Sequence, residues 1–213
     1  WIVIYWIMGR SSNSRNRIFT KKNTILQTQV ADWSIVEDPS LIIYNAMRDL
    51  GAYIVVSNGK HTDTICKELE VGKSFYTALR SEKHEPDPPN YTPRISGIIN
   101  LEEGKMSLSI IRKSVFSVEH SEFCLYSYTD IAPGYGYCLT TYMGDGDPLP
   151  SFNGSPLILP LHGNAEQIAN FYWQGLNQDN RISLAVRELS LTGEDRLKII
   201  NRNRLKSEKY QTL

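Results

Sequence analysis

Three arginines, two asparagines and three serines fall within residues 9–17 (GRSSNSRNR), directly after the apolar run at residues 1–8, WIVIYWIM. Guanidinium forks and amide dipoles grip phosphate and carboxamide oxygens in fixed geometry. Guanidiniums this close repel one another unless an anion sits between them. The run therefore points to an anionic small molecule, a nucleotide before others, with Arg10, Asn13, Ser14, Arg15, Asn16 and Arg17 at hand to bind it.

Three further polar, turn-rich segments follow or interrupt apolar strands: residues 57–63 (SNGKHTD), 85–94 (EPDPPNYTPR) and 144–147 (GDGD). Loops at strand ends on a rigid scaffold are where sites are usually built. Each segment also has a plainer reading. SNG suits a turn in which Gly59 takes a positive φ, GDGD suits a hairpin tip, and Arg94 after Pro93 suits an anchor for the proline-rich loop. GxG without a third glycine is no dinucleotide fingerprint, and GDGD lacks the closing Glu of a calcium loop. Cys138, between Tyr137 and Leu139, reads as packing rather than as a nucleophile, and no GxSxG elbow is present. His61 and His84 lie near candidate loops but read as solvated side chains.

The elements that must position these groups follow from periodicity and punctuation. Residues 1–8 mix β-branched and aromatic types over too short a span for a buried helix, so they form a strand. Asp38 and Pro39 resemble a helix start, and Gly51 resembles a C′ residue, which predicts a helix over residues 41–50, LIIYNAMRDL. Residues 52–56 form a second buried strand. Thr62 or Asp63 caps a helical stretch that Gly72 splits in two and that ends near Glu82. Four prolines in residues 85–94 break the chain. Beyond them, residues 95–100 and 106–114 read as a hairpin about a Glu-Glu-Gly-Lys turn, with further strands at 123–129 and 137–143. Asn164 caps a helix through EQIANFYW, and residues 181–191 form a final strand. Residues 194–213 read as a surface helix or solvated tail. The sum is a mixed α/β (α+β) chain with mainly antiparallel sheets, forming one domain over residues 1–213.

Bulk properties narrow the function classes. Of 213 residues, 23 are Lys or Arg and 23 are Asp or Glu, so the net charge is zero, which argues against a nucleic-acid surface. The apolar run at residues 1–8 is far short of the roughly 20 residues that cross a bilayer. Cys66, Cys124 and Cys138 fit neither a disulfide framework nor a CxxC site, and four scattered histidines show no HExxH spacing. Buried thiols in a cytoplasmic protein, with no metal, no cofactor and no membrane partner, are the expectation.

Taken in order, GRSSNSRNRIF, LIIYNAMR, VVSNGKHTDTI, NYTPRISG and GYGYCLTTYMGDGDPLPSF resemble the archaeal type of IMP cyclohydrolase and its bacterial relatives. The likeness runs from about residue 7 to 160. It implies a four-layer αββα sandwich like that of the N-terminal-nucleophile hydrolases. It also implies closure of 5-formamidoimidazole-4-carboxamide ribonucleotide to IMP with loss of water, a reaction of the cyclic amidine hydrolase class in purine biosynthesis. The nucleophile of the hydrolases is missing where the first strand gives Trp, Ile and Val. Carried over motif by motif, Arg17, Arg15 and Arg10 would hold the 5′-phosphate and polarise the formyl or carboxamide oxygens. Tyr44 would transfer a proton, with Asn45 beside it. Ser57, Asn58, Gly59 and Asp63 would meet ribose or base, and Tyr91, Thr92 and Arg94 would close the pocket. Glu85 or Asp87 would be the carboxylate base, with Asp145, next to Gly144, the alternative. The expected partner is the purine nucleotide, in a homo-oligomer. Two rivals stand beside this reading: an amide C–N hydrolase of the same fold using Ser11, Ser12 or Cys138, and a nucleotide-binding protein without turnover.

Overall fold

The computed structural model describes residues 1–36, 38–39, 42–190 and 193–205. The chain divides into two compact units, Trp1–Tyr44 with Leu161–Leu213, and Asn45–Pro160.

In the first unit, β1 (Ile2–Met8) and β12 (Asp195–Asn201) flank β11 (Arg181–Leu189), all antiparallel. Six consecutive residues of β11, Ile182–Arg187, are buried, as expected of a strand covered on both faces. On one face, helix α4 (Ala165–Gly175) lays Ala165, Ile168 and Ala169 on Leu184 and Val186. Asn164 starts that helix with a full capping box to Gln167, as its sequence promised. On the other face lies a hairpin of β2 (Arg17–Lys22) and β3 (Ile25–Val30), where Asn201 bonds both backbone groups of Phe19. The two-residue loop of that hairpin puts Asn23 at φ +55°, a conformation asparagine tolerates.

In the second unit, β4 (Tyr44–Leu50, all but its first residue), β5 (Tyr53–Ser57), β6 (Arg94–Asn100), β7 (Lys105–Lys113) and β8 (Ser121–Tyr128) pair in sequence as an antiparallel meander. Helices α2 (His61–Glu70) and α3 (Phe75–Leu79) cover it: Ile65, Cys66, Ala78 and Leu79 pack on Val55, Ile98 and Ile111. A short ribbon of β9 (Tyr135–Cys138) and β10 (Leu157–Pro160) completes the unit. Mixed α/β content with antiparallel sheets is thus what the sequence predicted. Each unit contributes helix and sheet layers of the kind a sandwich needs.

Three expectations are corrected. The helix predicted over 41–50 is strand β4, with residues 40 and 41 outside the described set. Ile42, Tyr44 and Ala46 are buried at a period of two, and Met47 to Leu50 pair with β5. Helix propensities of Ala, Met and Leu amount to only tenths of a kcal/mol per residue, which strand pairing overrides. Gly51, at φ +64°, serves a two-residue hairpin turn rather than a helix end; both uses demand the same backbone. The surface helix or tail at 194–213 contains β12. Its basic residues, Arg196 and Lys198, alternate along an edge strand, a pattern that keeps edges from pairing with other chains. Residues 191 and 206–213 lie outside the described set. Finally, of the strand predicted at 137–143 only the start belongs to β9, and Tyr142 forms an isolated bridge with Ser151.

Candidate active site

The arginine run folds as a loop built around one helical turn, α1 (Ser12–Arg15), capped by Ser11, whose Oγ accepts from Ser14 N–H and bonds Ser14 Oγ. Asn13 and Ser14 lie within that turn. Asn16 is buried and spends its amide on the backbone of Asp32, at 2.8 Å in both directions, so it holds the loop. Arg15 Nε donates to Gly9 O, and Arg17 Nε donates to Ser14 O at 2.9 Å. Among the described residues neither arginine pairs with a carboxylate. Arg10 is exposed. Two guanidiniums bonded only to carbonyls keep their outward N–H groups available for an external anion.

Tyr44 is buried at the start of β4, where Thr28 Oγ1 accepts from its N–H and donates to the carbonyl of Ile42. Its hydroxyl lies 2.8 Å from that of Tyr5 on β1. Burial pushes the Tyr5 phenol well above its ordinary pKa, Tyr44 adds to the rise, and the nearby Arg17 opposes it. Tyr5 was not foreseen; it lies in the apolar run at residues 1–8, which was read only as a strand.

In the second unit the strand places Asn45 one residue after Tyr44, so their side chains leave opposite faces. Asn45 Nδ2 donates to Asp63 in the first turn of α2, and Arg48 pairs with the same carboxylate at 3.1 Å. Asn58 clamps the start of β6: its Nδ2 donates to Pro93 O and its Oδ1 accepts from Ile95 N–H, each at 2.9 Å. Ser57 Oγ bonds Thr62 Oγ1 and Gly59 O. Helix α2 starts at His61, after a Lys60 N-cap that makes no side-chain bond, rather than at Thr62 or Asp63.

The proline-rich segment closes on itself. Asp87 accepts from Thr92 N–H and Oγ1–H, and Thr92 Oγ1 lies 2.7 Å from the Tyr142 hydroxyl. Tyr91 sits at φ +47°, a strained conformation for a tyrosine, with its ring edge-on to His84. Gly144 and Asp145 are exposed at a hairpin tip, where Met143 N–H donates to Pro150 O.

Arg94 is the hub of this unit. Its guanidinium pairs with Glu82 at 3.0 Å and with Glu85 at 3.2 Å. Burial pushes the Glu85 carboxyl above the ordinary glutamate value; Arg94 pulls it down, Asp87 and Glu82 push it up, and Lys60 pulls it down. A carboxylate with a raised pKa is a better base than an ordinary one. His61, read from sequence as solvated, is 1% exposed. Burial pushes its pKa down to about 4 and Arg94 pushes the same way, so it is neutral at pH 7. Gly59 has no positive φ; a Cβ there would instead crowd His61. His84 is buried too, with Nδ1 on Ser121 Oγ. Cys138 is half-buried and its thiol is pushed up to about 11 by burial. No cluster of metal-ligating side chains and no helix long and apolar enough to cross a membrane occurs among the described residues.

A family model described as IMP cyclohydrolase-like protein matches residues 1–194, through both units. The chain belongs to the IMP cyclohydrolase-like family. Among curated relatives, the IMP cyclohydrolase of Haloquadratum walsbyi is 31% identical over 100 residues, 45% of this chain and 50% of that protein. That of Methanosphaera stadtmanae is 29% identical over 143 residues, 65% and 64% of the two chains. That of Halobacterium salinarum is 27% identical over 125 residues, 57% and 62%. The matched chain thus spans between half and two thirds of the length of these relatives. The resemblance read from five motifs and the family match agree.

Proposed function

We propose that the chain closes 5-formamidoimidazole-4-carboxamide ribonucleotide to IMP. The observation that carries this reading is the family match over residues 1–194, joined to two arginines of its first motif that carry no acidic partner among the described residues. In this reaction the carboxamide nitrogen attacks the formyl carbon. The hydroxyl so formed departs as water while the formamido nitrogen gives up its proton, returning it to the group that protonated the formyl oxygen, and a carbon–nitrogen double bond forms. A neutral amide is a poor nucleophile, so a base must take its proton, and donors must meet the charge growing on the formyl oxygen. Because both reacting groups belong to one molecule, holding its arms together supplies much of the acceleration. Only water leaves, so the atoms balance without a redox or group-carrying cofactor.

We assign the roles residue by residue, on the motifs. Arg10, Arg15 and Arg17 bind phosphate or polarise the formyl oxygen, and Tyr44 delivers a proton there. Glu85 is the base, in preference to Asp87, whose carboxylate is spent on Thr92. Asn58, Asp63 and Thr92 shape the surroundings through the bonds described above. An amide hydrolase is disfavoured by the same geometry: Ser11 is a helix cap, and a thiol at about 11 gives little thiolate near neutrality. We infer further that the protein works in the cytoplasm, where its free thiols stay reduced. Exposed apolar residues such as Phe116 and Ile158 support a homo-oligomer.

The test is a spectrophotometric assay of the purified chain with the formamido ribonucleotide. Appearance of IMP, reduced in Arg17→Ala and Tyr44→Phe, supports the reading. Tight IMP binding without turnover would replace it with a nucleotide-binding role.

A further inference from the structure

His61 carries a buried nitrogen with nothing to bond. Its Nε2 lies 3.2 Å from the carbonyl oxygen of Ile95, which can only accept. In the neutral ring Nε2 must therefore hold the proton, and Nδ1 is a bare lone pair. That Nδ1 is fully buried and has no hydrogen-bond partner among the described residues. An unpaired buried acceptor is costly, so its persistence calls for an account. A candidate donor, the Glu85 carboxyl, is legible beside Gly59. A Cβ built there would stand 3.2 Å from His61 Nδ1 and 3.7 Å from Glu85 Oε1. The histidine nitrogen and a carboxyl oxygen of Glu85 thus both border the space that a side chain at Gly59 would fill.

We infer that His61 is a positioning residue for the protonated state of Glu85: when the carboxyl gains a proton, its O–H donates to His61 Nδ1 without leaving Arg94. The inference rests on the reading of Glu85 as the base. In that reading the proton comes from the carboxamide nitrogen, rests on the Glu85 oxygen against His61, and departs on the leaving hydroxyl as water. His61 itself never ionises. Glu85 faces Arg94 and Lys60 as cations and Asp87 and Glu82 as anions, and His61 faces Arg94. Arg94 favours the ionised carboxylate, and His61 Nδ1 favours the acid; held between them, Glu85 can exist in both states at little cost.

The experiment is carboxyl-carbon NMR on the full chain labelled in glutamate, with the Glu85 signal identified by Glu85→Gln. Glutamine at position 61 keeps a donor to Ile95 but loses the Nδ1 acceptor, whereas asparagine keeps an oxygen near Nδ1. His61→Gln is expected to lower the Glu85 midpoint by about one pH unit, with the acid limb of kcat moving down equally. His61→Asn is expected to move it far less. In wild type, the nitrogen signal of His61 Nδ1 is expected to shift as a hydrogen-bonded acceptor with the Glu85 midpoint, a readout that survives if a variant misfolds. An unmoved Glu85 titration in His61→Gln, an equal shift in both variants, or an Nδ1 signal blind to Glu85 overturns the inference. If these shifts appear but wild type makes no IMP, the base reading fails and the bond stands. If IMP forms without them, the inference alone fails.

Discussion

Arg17 and Arg94 are the same side chain in opposite circumstances. Arg17, in the first unit, bonds one backbone carbonyl and, among the described residues, no carboxylate. Arg94, in the second, is clamped between Glu82 and Glu85 and is 19% exposed. A cation left without acids keeps its charge for something arriving from outside. A cation saturated with carboxylates has its charge already answered, and acts by setting how easily those carboxylates take a proton. In the proposed function the two arginines would divide recognition from proton handling.

The sharpest break of that division is Glu85→Gln. If Glu85 is the base, kcat falls about 10²–10⁴-fold with nucleotide binding little changed, checked by steady-state kinetics and calorimetry with IMP. Arg94→Met should act mainly on folding. It strands two half-buried carboxylates, and breaking a buried pair costs about 3–5 kcal/mol, read from urea denaturation. It also removes the charge that pulls Glu85 down, so the Glu85 pKa rises further. Activity needs the ionised form and is lost as pH falls through that pKa, so the acid limb of the residual activity should move to higher pH. Arg17→Met should show the reverse profile: Tm within a few degrees of wild type, but IMP affinity about 10–100-fold weaker, as for loss of a charge-assisted bond. Equal damage to folding by both substitutions would end the distinction.

The loop proposed for recognition was far more legible in the sequence than the cluster around Arg94. The arginine run announced itself because three guanidiniums in nine residues have few structural uses; α1, in its middle, holds one of them. Strands β1, β5, β6, β7, β8 and β11 and the Asn164 cap were readable from local pattern. Strand β4 was not. Its residues suit a helix, its Asp-Pro entry and Gly51 exit suit a helix, and only pairing with β5 decides otherwise. Misreading β4 put Tyr44 and Asn45 on one helical surface, whereas on a strand they face opposite ways. His61 and Glu82 were missed for a related reason. Burial and the Arg94 hub come from contacts between residues 61, 82, 85 and 94 that no local spacing reveals. The hairpin of β2 and β3 could have been found, since KKNT between alternating apolar runs is a turn signal.

The smallest predicted effect belongs to Tyr5. Its phenol is held well above its ordinary pKa by burial first and Tyr44 second. Of two hydroxyls 2.8 Å apart, one must donate to the other. If Tyr5 donates, the Tyr44 O–H is turned outward, ready to serve the formyl oxygen. Tyr5→Phe leaves the ring against Phe19, their centroids 5.4 Å apart, and removes only that donor. One neutral hydrogen bond is worth about 0.5–1.5 kcal/mol, so kcat should fall about 3–10-fold while Tm and IMP affinity hold. The decisive comparison is made in a Tyr44→Phe background. There the Tyr5 hydroxyl has no phenol left to orient, and its removal should cost nothing more. An equal loss in both backgrounds would mean that Tyr5 serves the packing of β1 and not the proton on Tyr44.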